Sequence, residues 1–257
     1  MRLGWELGIV LALSYGASAV YALVAIADRL TREMALSEQT ATINTTLNAR
    51  PFFDLTYQLL GIGFGLAPVA LVVYLLWQRP RPHLWRLGLG ATPGRAGTWW
   101  FRETGHGLVL AAAIGIPGLG FYVFAKSIGI NATVVPAALD ATWWAVPVLI
   151  LSALRAALGE ELIVVVYVFD RLRRLGLGPW ATIGLSAILR GSYHLYQGFG
   201  GFIGNVVMGV VFGWAYQRWG RSLPLIVAHW ALDIVSFVGY PLAVALWPAL
   251  FAAATPS

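Results

Sequence analysis

Eight stretches of this chain stay mostly apolar for about the length of a membrane-crossing helix, and that repetition constrains the fold more than any motif does. A helix spanning roughly 30 Å of hydrocarbon needs about 20 predominantly apolar residues. The stretches run from Trp5 to Ala27, Leu55 to Trp77, Gly107 to Ala125, Trp143 to Phe169, Pro179 to Tyr196, Gly201 to Trp219, Leu223 to Val238 and Tyr240 to Ala253. The last two are short. Gly239, Tyr240 and Pro241 have to make a tight turn between them, unless the final segment is re-entrant. With 59% hydrophobic residues and only 11% charged, the chain has too little polar surface to cover a soluble fold. The expectation is an all-α, polytopic membrane bundle of about eight transmembrane helices. Residues 1–257 are read as a single transmembrane domain, because no repeat or domain boundary is visible.

The basic residues alternate between connections as the positive-inside rule requires if the amino terminus is cytoplasmic. Eleven fall on the inner side, among them Arg2, Arg79, Arg86, Arg102, Arg171, Arg174, Arg218 and Arg221; outside fall only Arg29, Arg32, Arg50 and Lys126. With eight spans both termini are cytoplasmic. The setting that fits is the plasma membrane of a bacterium. The net charge of +6 then reflects topology and contact with the lipid bilayer. No nucleic-acid reading is needed, since no basic face interleaved with aromatics appears. Ala17-Ser18-Ala19 has the form of a signal cleavage site, yet apolar residues continue to Ala27, so the first stretch is read as a retained span. Cysteine is absent, which removes thiol nucleophiles, thiolate metal sites and disulfides.

Two connections stand out. The polar segment from Asp28 to Asp54 reads as a solvated external loop with at most a surface helix, in preference to a lid over a substrate. The internal segment from Gln78 to Glu103 carries Trp85, Trp99 and Trp100, expected at the membrane interface. Gly61 with Gly65, and Gly209 with Gly213, stand at helical spacing and are read as close-packing contacts.

Within the apolar stretches sit Arg155, Glu160, Glu161, Arg190, His194, His229 and Asp233. Ionisable groups are expensive inside a bilayer and mark function by default. Glu160 and Glu161 are adjacent, so on an α-helix they project about 100° apart, face different neighbours and can hold different protonation states. Arg190 and His194 are four apart and share a face, and His229 and Asp233 repeat that spacing. The last pair can bind metal, orient an imidazole or stabilise a developing charge. Spacing does not choose among these. Arg155 and Arg190 against Glu160, Glu161 and Asp233 leave one negative charge if both histidines are neutral, which an extra proton or a divalent metal would balance.

As a set, these residues resemble the CAAX protease and bacteriocin-processing family (CPBP), intramembrane glutamic proteases related to the prenyl-protein endopeptidases. The resemblance runs from Gly159 to about Phe237: paired acids, a His-bearing span, then a His followed four residues later by Asn or Asp. It implies that Glu160 is the general base activating water, that His194 positions that water, and that His229 and Asp233 flank the developing oxyanion. Glu161 is implied as an anchoring acid. Two departures matter. The Arg that usually follows the acids is Val165 here, and Arg190 stands where an aromatic residue is common. Arg190 is therefore expected to supply, from the neighbouring helix, the charge missing at Val165, with Arg155 as further supporting charge.

The implied function is an intramembrane glutamate-dependent endopeptidase, cleaving a peptide or membrane-protein substrate with activated water. No cofactor is assigned. If a metal binds, its ligands are expected among Glu160, His194, His229 and Asp233. A proton-coupled transporter or proton relay, or a catalytically silent scaffold or immunity protein, remains the alternative class; no inverted repeat or paired broken spans favour transport.

Overall fold

The computed structural model describes residues 1–77, 87–90, 96–138 and 142–246. Helices α1 (Arg2–Ala12) and α2 (Tyr15–Leu30) form one apolar rod bent by 54°. The bend has a local cause. Ser14 Oγ donates to the Val10 carbonyl at 2.7 Å, a back-bond that competes with the helical ladder. Helices α3 (Pro51–Gly65) and α4 (Ala67–Leu75) make the next span, and α5 (Ala96–Ser127) the third. Helix α6 (Ala145–Gly159) passes through a π-helical turn, Glu160–Tyr167, into α7 (Val168–Arg174). Helix α8 (Pro179–His194) and helix α9 (Phe199–Trp219) follow, and then α10 (Leu223–Ile234) runs through a second π turn, Val235–Gly239, into α11 (Tyr240–Leu246).

Four of these rods are individually long and apolar enough to cross a membrane, and the bent α1–α2 pair makes a fifth. Their outward residues, such as Trp5, Phe64, Phe101 and Ile116, are large, apolar and exposed, as lipid contact requires. The protein is an integral membrane protein. By length and apolarity the described residues support four or five spans, fewer than the expected eight. The α6–α7 rod carries Arg155, Glu160 and Glu161 at its centre, and α8 has only 16 residues. The turn expected at Gly239, Tyr240 and Pro241 is also absent: the helix that starts at Leu223 continues to Leu246, and the rest of the expected eighth stretch lies outside the described residues. Pro241 has no N–H to give the preceding turn, and the π turn just before it shifts the hydrogen-bond register, so the helix continues instead of breaking.

The connection from Asp28 to Asp54 is not merely solvated coil, and the fold is not wholly helical. Strand β1 (Thr40–Thr45) pairs in parallel with β2 (Thr133–Ala138), with Ala41 opposite Val134 and Asn44 opposite Ala137. Thr40-Ala41-Thr42-Ile43-Asn44-Thr45 alternates exposed and covered positions over Thr40 to Ile43 and is rich in β-branched residues, which favours this pairing. At one end of the ribbon Ala41 and Ala132 pack with Leu195 and α2; at the other Ile43 and Ala137 pack with Ile234 and Phe237. The ribbon thus spans from the end of α8 to α10. Helix α8, roughly 24 Å long at 1.5 Å per residue, is shorter than the hydrocarbon layer. It stops at His194, and the ribbon fills the space beyond it. Gly198, at φ 115°, turns the chain there, where a Cβ would strike the Ile130 carbonyl and the Asn131 backbone.

Of the glycine pairs expected to pack helices, Gly209 does so against the Ala187 backbone and Gly213 against Phe169 and Ile183. Gly61 faces open space, and Gly65 makes room for the Arg155 side chain. Trp99 is buried instead of lying at the interface, Trp100 is half exposed, and Trp85 lies outside the described residues.

Candidate active site

The π turn places Glu160 and Glu161 side by side facing α8 and α10. Widening a helix by one residue per turn frees a carbonyl from its usual partner, and here Ser186 of α8 donates to the Val164 carbonyl at 2.7 Å. The two acids were expected to face different neighbours. Instead they share one: Arg190 lies 2.7 Å from Glu161 Oε1 through Nη2 and 3.3 Å from Glu160 Oε2 through Nη1. Their remaining partners differ. Tyr193 Oη donates to Glu160 Oε2 at 2.7 Å, whereas His229 Nδ1 meets Glu161 Oε1 at 2.8 Å. Glu161 is fully buried, and Glu160 nearly so.

Arg190 reaches both acids from the neighbouring helix. Its guanidinium carbon lies 5.4 Å from the centre of the Phe212 ring, and Val165 packs in the same cluster as Phe212. A charge carried at Val165 and the charge carried by Arg190 therefore reach a common region from facing helices. Gly209 lets the Arg190 stem lie close to α9, with Arg190 Cδ in contact distance of a Cβ built there.

His194 closes α8, its Nδ1 3.0 Å from the Arg190 carbonyl. Its imidazole and that of His229 both act electrostatically on the Glu160 carboxylate. Asp233 sits one turn along from His229, with Oδ2 3.5 Å from His229 Nε2, an ion-pair separation longer than a good hydrogen bond. Sequence reasoning left open whether Asp233 holds the His229 tautomer. Glu161 makes the close contact to Nδ1, so Glu161 does the orienting. Arg155 reaches the cluster only through its charge, which acts on Asp233 and Tyr15. It packs against Gly65 and makes no ion pair with a described residue.

Two tyrosines were missed. Tyr193 is adjacent to His194 but was read only as part of an apolar run, though a buried phenol needs a hydrogen-bond partner and a nearby acid can be one. Tyr15 comes from the bend between α1 and α2; its ring stacks on Tyr193 with centroids 4.7 Å apart, and its hydroxyl occupies the space a Cβ at Gly159 would take. No local pattern marks Tyr15.

Glu161 Oε2, Arg190 Nε and Arg190 Nη1 are buried without a hydrogen-bond partner. Such atoms cost about 1–3 kcal/mol each, so a polar group entering this cluster is favoured. Among the described residues, no group of three His, Asp or Glu side chains is arranged to hold a metal ion. The Nδ1 of His229 is taken by a carboxylate, which leaves Nε2 as its other donor atom.

Residues 142–235 match the family described as type II CAAX prenyl endopeptidase Rce1-like. Over this segment the chain is similar to the CAAX protease family. It covers α6 through α10, and so every member of the charged cluster from Glu160 to Asp233. The family is one of endopeptidases, which implies a peptide or protein substrate. No curated protein and no solved structure matches the chain.

Proposed function

We propose that the protein is an intramembrane endopeptidase in which Glu160 deprotonates a water molecule that attacks a substrate peptide bond. The observation that carries this reading is the asymmetry of Glu160. Its contacts to Tyr193 and Arg190 both fall on Oε2, so Oε1 is the oxygen left to take a proton. A base so held loses little orientation on reacting.

His194, beside Tyr193 and within electrostatic reach of Glu160, positions the water. His229, protonated on both nitrogens between Glu161 and Asp233, donates from Nε2 to the tetrahedral oxyanion. Glu161 is the anchor that holds both Arg190 and His229. Asp233 offsets the imidazolium charge, which answers how an acid can stand beside an oxyanion: it acts on His229 and not on the substrate. The proton collected by Glu160 then passes to the leaving amine, and no acyl-enzyme forms. The same chemistry needs no cofactor. We place the basic, α5- and α9-turn end of the bundle at the cytoplasm of a bacterial plasma membrane, with the ribbon on the other side.

Detergent-purified protein incubated with a peptide library tests the reading. Cleavage that disappears in Glu160→Ala supports it. Ion flux through reconstituted liposomes without cleavage supports the proton-relay alternative, to which a run of contacts from Glu160 through Arg190, Glu161 and His229 to Asp233 also lends itself. Silence in both assays favours the scaffold alternative.

A further inference from the structure

At the basic end of the bundle, a cleft lined by Arg102, His106, Arg218, Trp219 and Arg221 opens between α5 and the turn joining α9 to α10. We infer that this cleft binds the phosphate headgroup of an anionic membrane lipid, apart from the charged cluster inside the bundle.

The charge balance is the first argument. Three arginines face the cleft, and the acid paired with them is Glu103. Arg102 Nε lies 3.2 Å from Glu103 Oε1, and Arg221 Nη1 also contacts that oxygen. Both guanidiniums keep further N–H groups for another acceptor, since each carries five donors. Arg218 makes no ion pair with a described residue. Glu103 is fully buried, so it anchors its partners from beneath and leaves the cleft itself positive.

Shape and placement supply the second argument. Trp219 stacks on His106, with ring centroids 5.6 Å apart and planes at 22°, which gives the cleft a flat amphipathic wall. Gly220, at φ 63°, reverses the chain so that Arg218 and Arg221 both meet the same opening. A basic pocket with a Trp at the end of membrane helices is the surroundings an anionic headgroup recognises. The helices leading from it expose Phe101, Leu108 and Trp214, apolar surface along which acyl chains lie. A free phosphate ion has no use for that surface.

The test is native mass spectrometry of the intact protein, released from vesicles holding equal amounts of phosphatidylglycerol and phosphatidylcholine. We expect phosphatidylglycerol to be retained in preference. Arg218→Gln lowers its retention roughly fivefold, the effect of one cation near a lipid surface, and Arg102→Gln with Arg218→Gln lowers it further. Arg218→Lys keeps most of it. Arg218 has no described partner to strand, so its variants keep the fold, and an unchanged melting temperature verifies this. Equal retention of phosphatidylcholine, or undiminished phosphatidylglycerol in both Gln variants, overturns the proposal. Release of the lipid by millimolar inorganic phosphate alone would reassign the cleft to a soluble anion and overturn the lipid assignment.

Discussion

Along the single rod formed by α6, the π turn and α7, two buried arginine–acid clusters occur a few turns apart, and their hydrogen bonding differs. At the end of the rod, Arg171 donates from Nε to Glu6 at 2.7 Å and from Nη2 to the Leu75 carbonyl at 3.1 Å, while Nη1 meets Asp170. Tyr167 adds its hydroxyl to Glu6 at 3.1 Å and its ring beneath the guanidinium. Every nitrogen of Arg171 is used. In the middle of the rod, Arg190 leaves Nε and Nη1, and Glu161 leaves Oε2, without hydrogen bonds among the described residues. A satisfied cluster ties helices together. An incompletely satisfied one, and here the more deeply buried of the two, costs stability and is poised for an additional polar group. The central cluster falls inside the segment that matches the family, residues 142–235, and Glu6 lies outside it.

Removing the central cation should have the largest effect on folding. Arg190→Leu strands Glu160 and Glu161 in a dry interior, and loss of one partner from a buried ion pair costs about 3–5 kcal/mol. We expect a markedly lower thermal midpoint and no cleavage by the folded fraction. Moving the charge sharpens the point: the double variant Arg190→Val, Val165→Arg should keep measurable cleavage, because both positions pack near Phe212. A folded but inactive double variant would count against Arg190 as a replacement for the missing arginine.

A smaller loss is expected at the satisfied cluster. Glu6 and Asp170 are about a quarter exposed, so Arg171→Gln should cost roughly 2 kcal/mol in denaturation while leaving the turnover of each folded molecule unchanged. If turnover falls as well, the division between a structural and a reactive cluster fails. Smallest is Tyr193→Phe, which deletes one hydrogen bond to Glu160 and nothing else. Only the part of that bond that changes as Glu160 takes a proton reaches the rate, and at about 1–1.5 kcal/mol the drop is on the order of tenfold, with little change in the apparent substrate affinity.

The charged cluster was more legible in the sequence than the architecture around it. Paired acids and i, i+4 pairs announce themselves because ionisable residues are rare in apolar runs, and the structure brings Glu160, Glu161, Arg190 and His229 into contact. Arg155 obeyed the same rule and still packs elsewhere, against Gly65, because composition does not say which face of a helix meets the site. Counting apolar stretches missed the ribbon, since six-residue strands are too short to register, although the β-branched Thr40–Thr45 run carried the signal. Gly239-Tyr240-Pro241 was read as a turn, a sound reading in water; in hydrocarbon a helix continues by adjusting its register, since leaving backbone groups unpaired costs more. Tyr15 was out of reach, as its place beside Tyr193 depends on a bend and on the packing of α2 against α8.

Most direct of all is a rate comparison between the protein and Glu160→Gln, both reconstituted in proteoliposomes and followed by mass spectrometry of a cleaved peptide. Gln keeps the size of the side chain and can still accept from Tyr193, but it cannot take a proton from water. A general base contributes about 10²- to 10⁴-fold, so the account requires a loss in that range at an unchanged thermal midpoint. Cleavage by Glu160→Gln at the parent rate would contradict it.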